Sequence, residues 1–257
     1  MPDNESSPLP RSVLVADDAL YQRIKSDPDS VGLLNDVDAM IIPFSGRAAA
    51  HERESDAIRD VLVAAGQLIP QSLLVKNPYE AASYESAADA LLAFASAKYH
   101  ALANVAKLLG ATEVKFVDVK TDQDVTRWGA GLFAKLPVGG GSAKANHDVT
   151  KKLGKRLEAR MSFPGAAPAP ADALAYLSRR NLSNDQQLRD LIEMRTGDNA
   201  ISSYEIKFSG TRESTANLIS ALSIANAGPA KAVSIGGDFS RTVSANTSIE
   251  ITTEIKF

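Results

Sequence analysis

The chain has 257 residues, no cysteine and a formal net charge of −3 at pH 7. Without cysteine it forms neither disulfides nor thiolate metal sites, and its mild acidity argues against a surface that binds nucleic acid throughout. Hydrophobic residues make up 44% and charged residues 23%, which is typical of a globular protein, and no apolar run is long enough for a membrane-spanning helix. These features predict a cytoplasmic protein, and its size and composition would suit a bacterial one.

The first third of the chain is predicted to be mainly helical. Residues 1–11 are polar and rich in proline, which predicts disorder. Residues 12–69 favour helices, with a short one at 17–25 and a longer one within 48–68. The longer one has an i, i+3, i+4, i+7 apolar set formed by Ile58, Val61, Leu62 and Ala65.

A strand and a long helix are predicted next. Residues 71–76 suit a short strand, and Asn77, Pro78 and Glu80 have the order of a helix N-cap, first turn and capping carboxylate. The helix is expected to end at Gly110. Its apolar stripe contains Leu91, Ala95, Tyr99, Leu102, Ala106 and Leu109.

After Gly110 the hydrophobic period changes from 3.6 to 2. This predicts strands at 112–120, 127–138 and 151–163, with a glycine-rich loop at 139–148 between the last two. The two strands joined by that loop would form an amphipathic hairpin over residues 127–163.

The last third repeats the pattern after a Pro/Ala linker at 164–170. Helices are predicted at 171–180, 184–195 and 213–227. Strands are predicted at 203–209, at 230–241 with a bulge at Gly236-Gly237, and at 249–257. In the last strand, Ile249, Ile251, Ile255 and Phe257 alternate with Glu250, Thr252, Glu254 and Lys256.

These elements predict an α+β fold with antiparallel or mixed sheets covered by helices. After a mainly helical N-terminal segment, two loosely repeated β-α-β-β units are expected, one closing at 151–163 and the other at the last strand. The domain division would be 12–163 and 171–257, or one continuous domain. A strand as regular as 249–257 should lie inside a sheet or swap onto a partner, because a free edge invites aggregation.

No motif in the sequence names a reaction. His51, His100 and His147 have no metal-ligand spacing, and GGGSAK at 139–144 lacks the residue order of a phosphate-binding loop. No metal or cofactor is therefore predicted. Asp118 interrupts an apolar strand row, and a strand-end residue facing water is the favoured interpretation.

One basic cluster is the candidate contact site for an anion or a membrane. Strand alternation would place Lys152, Arg156 and Arg160 on one face, either as a solvated surface or as a contact with anionic lipid. Nucleic acid is disfavoured because few aromatic residues lie nearby for base stacking. The cluster comprises Lys144, Lys151, Lys152, Lys155, Arg156 and Arg160.

Three functional hypotheses follow. The favoured one is a non-enzymatic interaction or assembly protein that binds itself or a protein partner through its sheets and helices. The alternative is a membrane-acting effector of the pore-forming type that uses the hairpin 127–163. The third is an enzyme whose site is assembled from distant residues, with Asp118, Glu205 or Arg212 as candidates.

Overall fold

The fold is described from a computed structural model. It describes residues 9–36, 38–45, 52–80, 82–121, 142–158, 160–231 and 249–257. The chain divides into two compact units, each built from separate segments. The first takes Met1–Asn77, Ala81–Ala90 and Ser214–Ser240, and the second takes Pro78–Glu80, Leu91–Glu213 and Arg241–Phe257. Residues 164–170, predicted as a linker, lie within the second unit.

The described residues form eight helices and eight strands. The helices are α1 (Asp18–Ser26), α2 (Glu52–Ala64), α3 (Ala90–Leu108), α4 (Ser142–Leu157), α5 (Pro170–Arg179), α6 (Gln186–Thr196), α7 (Thr215–Asn226) and α8 (Gly228–Lys231). The strands are β1 (Ser12–Ala16), β2 (Ala39–Pro43), β3 (Ser72–Lys76), β4 (Tyr84–Ser86), β5 (Glu113–Thr121), β6 (Met161–Ser162), β7 (Ser203–Ser209) and β8 (Ile249–Lys256). Short 3₁₀ turns lie at Val31–Asn35 and Arg212–Ser214.

The first unit contains a mixed sheet with strand order β2-β1-β3-β4. β1 is parallel to β2 and antiparallel to β3. All five residues of β1 are buried, as expected for a central strand that is covered on both faces. Val13 and Val15 on one face of β1 belong to a core cluster with Ile58 and Leu62 of α2.

The second unit contains an antiparallel sheet with strand order β6-β5-β8-β7. The regular strand at the end of the sequence is therefore central, which confirms its predicted place inside a sheet. Ile249, Ile251 and Ile255 are buried, whereas Glu250 and Lys256 are exposed. The predicted alternation is confirmed at these positions, although Thr252 of the predicted polar row is also buried. Together the two sheets and their helices confirm the α+β fold class.

The prediction for residues 12–69 is wrong in part, because β1 and β2 are strands. Of residues 1–11, which are predicted to be disordered, the structure describes Leu9–Arg11. The Tyr84 hydroxyl donates a hydrogen bond to the Pro10 carbonyl at 2.9 Å, and the Arg11 amide donates one to the Asp38 carbonyl at 2.9 Å. Residues 1–8 lie outside the described part of the chain.

The predicted helix start at Asn77 is wrong. Instead, the Asn77 amide donates to the Ser83 carbonyl at 2.8 Å, and β4 pairs with β3 before α3 begins at Ala90. The backbone N–H and C=O groups around Asn77 form hydrogen bonds of the β3–β4 pair. Tertiary pairing therefore overrides the helix-capping order of Asn77, Pro78 and Glu80.

The prediction of a strand at 151–163 is wrong, and so is the predicted loop from residue 142 onward. Helix α4 covers Ser142–Leu157, and only Met161–Ser162 pair with β5. Leu153 and Leu157 are buried one helical turn apart. The hairpin 127–163 thus lacks its second arm, and the first β-α-β-β unit lacks its predicted closing strand. The strands predicted at 127–138 and 232–241 lie outside the described residues, while residues 230–231 belong to α8.

The remaining predicted elements are found close to their expected positions. They are α1, α2, β3, β5, α5, α6, β7 and α7. No helix in the described ranges has the length and apolar character needed to cross a membrane.

Candidate functional site

A buried lysine lies at the centre of a charged cluster in the second unit. Lys98 is on α3, and its side chain is only 2% exposed. The ammonium lies 2.7 Å from the Asp185 Oδ2, 2.8 Å from the Glu213 Oε1 and 2.9 Å from the Glu213 Oε2. An ammonium has three N–H donors, and three carboxylate oxygens surround this one.

Local structure explains how the two carboxylates reach Lys98. Asp185 is the N-cap of α6, where its Oδ1 accepts a hydrogen bond from the Leu188 amide at 3.1 Å. Its two oxygens therefore serve different partners, one the helix end and one the lysine. Glu213 lies in the 3₁₀ turn that follows β7. The Lys98 ammonium also lies 6.0 Å from the centre of the Phe208 ring.

Tyr79 completes the cluster as a neutral donor. Its side chain is buried, and its hydroxyl donates to the Glu213 Oε2 at 3.2 Å. Burial raises the pKa of Tyr79, and the nearby charge of Glu213 raises it further. The cluster therefore joins four separate chain segments of the second unit, and every N–H donor of Lys98 has an acceptor. Lys98 therefore holds the cluster together and is not placed to act as a nucleophile, because a lysine that attacks a substrate needs a free lone pair.

Buried tyrosines make the fold sensitive to alkali. Burial raises the pKa of Tyr79, Tyr84 and Tyr99 in the folded protein. Their contribution to stability is complete below the unfolded pKa of about 10 and is lost as the pH rises above it, because only the unfolded chain then releases the phenolic protons. We expect the free energy of unfolding to fall by up to about 1.4 kcal/mol per pH unit for each tyrosine.

Denaturant unfolding measured at several pH values between about 9 and 11 checks this expectation. The Tyr84→Phe variant is the control, because it keeps the ring and removes one ionisable hydroxyl. Its stability should decline with pH less steeply than that of the wild type. Equal slopes would contradict the assignment.

The predicted basic cluster is only partly brought together. Lys151, Lys152, Lys155 and Arg156 are exposed on α4, and at ~100° per residue they span ~140° of the helix circumference. Arg160 lies beyond the helix and forms an ion pair with Glu113.

The basic face is therefore helical, and the predicted strand alternation is wrong. Lys144 also belongs to α4. The opposite side of the helix holds Leu153 and Leu157, which are already buried. Contact between this basic face and an anionic membrane stays a prediction.

The candidate catalytic residues are not gathered into one site. The side chain of Asp118 is 52% exposed next to a bulge in β5, which confirms its predicted orientation toward water. The residue lies within the strand, however, and not at its predicted place at a strand end. Glu205 lies on the solvent face of β7, and Arg212 is exposed in the 3₁₀ turn. In the described ranges, no group of three or more histidine, aspartate or glutamate side chains is placed to hold a metal ion.

Strand β7 forms an edge of the antiparallel sheet. Among the described strands it pairs only with β8. The Gly210 amide donates to the Ile249 carbonyl at 2.7 Å, and the Phe257 amide donates to the Ser202 carbonyl at 2.9 Å. Because alternate residues of an antiparallel strand turn their backbone groups to the same side, the even-numbered residues of β7 bond to β8. The backbone groups of the odd-numbered residues, from Ser203 to Ser209, point outward from the sheet.

The two charges on β7 have no counter-ion within the part of the chain that is described. Glu205 and Lys207 are both exposed. In the ladder, Glu205 lies opposite Glu254 and Lys207 lies opposite Thr252. Like charges in directly opposite positions are destabilising, and Glu254 pairs with Lys115 on its other side at 3.6 Å. The outer row of β7 therefore presents one unpaired charge of each sign.

Comparison with family models, with curated proteins and with solved structures finds no match for this chain.

Proposed function

We propose that this chain is a non-enzymatic interaction protein that binds a partner by adding a strand to the free edge of β7. The observation that carries the proposal is a seven-residue strand that, among the described strands, is paired on one side only. Of its outward carbonyls, that of Lys207 already accepts a hydrogen bond from the Gln187 side chain. An added strand would gain main-chain hydrogen bonds there and place alternate side chains on the two sheet faces.

The other sheet edges are less suited to this role. β6 has two residues and β4 has three. β2 ends at Pro43, which has no backbone donor, and Arg59 already donates to the Pro43 carbonyl at 3.0 Å. Short edges, prolines and covered carbonyls are the usual means by which proteins prevent strand pairing. β7 has neither a short length nor a proline, and its Lys207 carbonyl accepts a hydrogen bond from an exposed side chain, that of Gln187.

The Lys98 cluster and the basic face of α4 give less support to a catalytic or a membrane-binding function. Lys98 is saturated by carboxylate oxygens, so it favours a structural role over a catalytic one. The apolar side of α4 is occupied within the protein, which leaves charge alone for contact with a membrane.

The proposal is tested with a panel of fluorescent, extended peptides that have apolar residues on one face and different charge patterns on the other. Fluorescence anisotropy should detect binding of at least one charge pattern. A Glu205→Pro variant should lose that binding, because proline removes an outward amide and its ring obstructs the edge. No hydrogen bond to β8 is lost, since the Glu205 amide points away from that strand.

The matched control is Glu205→Thr, which removes the same charge but keeps the amide. It should still bind the peptides, and both variants should keep the circular dichroism spectrum of the wild type. If neither peptides nor other copies of the protein bind, or if Glu205→Pro binds as the wild type does, the proposal is wrong.

A further inference from the structure

We propose that the strand which β7 accepts is β7 of a second copy, antiparallel and centred on Ile206. The inference rests on the proposed function, because it names the partner for the same edge. The sequence of β7 is SYEIKFS. When it is reversed about Ile206, serine meets serine, tyrosine meets phenylalanine and glutamate meets lysine.

The hydrogen-bonding pattern is compatible with this register. A twofold axis at Ile206 places Glu205 of each copy opposite Lys207 of the other, and Ser203 opposite Ser209. These are the odd-numbered residues whose backbone groups point out of the sheet. Each facing pair can therefore exchange two N–H to carbonyl hydrogen bonds, as antiparallel strands require. All seven residues of the strand are used.

The charges select this register over its neighbours. Side chains keep to the same sheet face only if the pairing slips by two residues at a time. One such slip places Glu205 opposite Glu205, and the other places Lys207 opposite Lys207, so each brings like charges together. The register centred on Ile206 instead supplies two symmetric ion pairs. It also places a cation beside Glu205, which faces Glu254 within its own sheet.

The inner face of the strand also matches itself. Ile206 and Phe208 are buried, and Tyr204 is only half-buried. In the twofold pair, Tyr204 lies on the same face as Phe208 of the second copy and opposite to it. Aromatic cross-strand pairs are among the more stabilising ones. Pairing would thus cover the most exposed member of the inner row.

One side chain competes with the second copy. The Gln187 Nε2, on α6, donates a hydrogen bond to the Lys207 carbonyl at 2.5 Å. That carbonyl is one of the outward acceptors that the pairing uses, so Gln187 has to release it. Gln187 would therefore occupy one acceptor of the edge in the monomer, and it would weaken association without preventing it.

Sedimentation velocity over a concentration series, with the full chain, tests the register by charge exchange. Wild-type protein is expected to dimerise. Glu205→Lys and Lys207→Glu should each weaken the dimer about tenfold, because each replaces two attractive pairs by two repulsive ones. An equimolar mixture of the two variants should recover the wild-type affinity, since each lysine then faces a glutamate, and so should the double variant E205K/K207E.

Gln187→Ala should tighten the dimer severalfold by freeing the Lys207 carbonyl. Gln186→Ala is the matched control, because its amide donates to Asp190 at 2.6 Å instead, and it should leave the affinity unchanged. A dimer that responds equally to the single variants, their mixture and the double variant would overturn the register.

Hydrogen exchange of the Glu205 and Lys207 amides separates the remaining outcomes. A protein that stays monomeric, exchanges these amides freely and binds a panel peptide overturns self-pairing but leaves the proposed function standing. A monomer in which these amides are protected has its edge covered from within the chain. That result overturns both proposals.

Discussion

Replacing Gly110 with alanine is expected to destabilise the second unit by about 3–5 kcal/mol. Gly110 follows α3 at a φ of +85°, and an added Cβ would lie 2.1 Å from the Ala166 carbonyl oxygen. The helix end has the hydrogen bonds of a Schellman motif, from the Gly110 amide to the Lys107 carbonyl and from the Ala111 amide to the Ala106 carbonyl. Alanine would therefore strain the turn and displace the backbone packed against it. Denaturant unfolding combined with hydrogen exchange in β8 measures the loss.

Gly66→Ala is the matched control for this substitution. Gly66 also has a positive φ, +67°, but no atom lies within 4 Å of the position that its Cβ would take. Its replacement should cost only about 1–2 kcal/mol, the strain of the left-handed conformation. Equal losses in the two variants would show that the close approach of Ala166 contributes nothing.

Lys98→Met is expected to cost about 3–5 kcal/mol, because it leaves the Asp185 and Glu213 carboxylates without their cation. The Asp185 side chain is 6% exposed, so water cannot readily replace the ammonium. Methionine preserves most of the length of the side chain, which keeps the loss of packing small. The free energy of unfolding from denaturant titration checks the value.

Two further variants separate charge from packing in this cluster. Lys107→Met changes an exposed lysine on the same helix and should cost less than about 1 kcal/mol. The triple variant K98M/D185N/E213Q makes the whole cluster neutral and should recover part of the stability lost in Lys98→Met. Asparagine can still cap α6 in that variant. If the free energy of unfolding of Lys98→Met lay within about 1 kcal/mol of the wild-type value, Lys98 would not stabilise the two carboxylates as proposed.

Periodicity alone predicted the second unit better than the first. The alternation in β7 and β8 is clear because each strand has one buried and one solvated face. β1 was missed because SVLVA is buried on both faces and so has no alternation to detect. A short run of β-branched and aliphatic residues was the available signal, but the prediction assigned its neighbourhood to helices.

The error at 151–163 has a different cause. In KKLGKRLEARMSF, Leu153 and Leu157 are four residues apart, a spacing that fits period 2 and period 3.6 equally well. Apart from Gly154, the residues between them, Lys155 and Arg156, are good helix formers, and the helical interpretation also brings both leucines to one side. Short windows of this kind do not separate the two periods.

The buried cluster was also missed, although the sequence held a signal for it. Lys98 falls between Ala95 and Leu102 on the apolar stripe of α3, where a charge must have a partner. The partners lie 87 and 115 positions away, so no local pattern identifies them. The β7 edge could not be predicted either, because strand order decides which strand has a free side.

The position of β8 between β5 and β7 has a consequence for biosynthesis. β5 and β7 emerge from the ribosome before β8, yet each makes its long ladder only with β8. Until β8 is synthesised, both strands lack their principal neighbour and expose apolar rows that other nascent chains can bind. The antiparallel sheet therefore closes after translation of β8, and chaperone protection matters most during that interval.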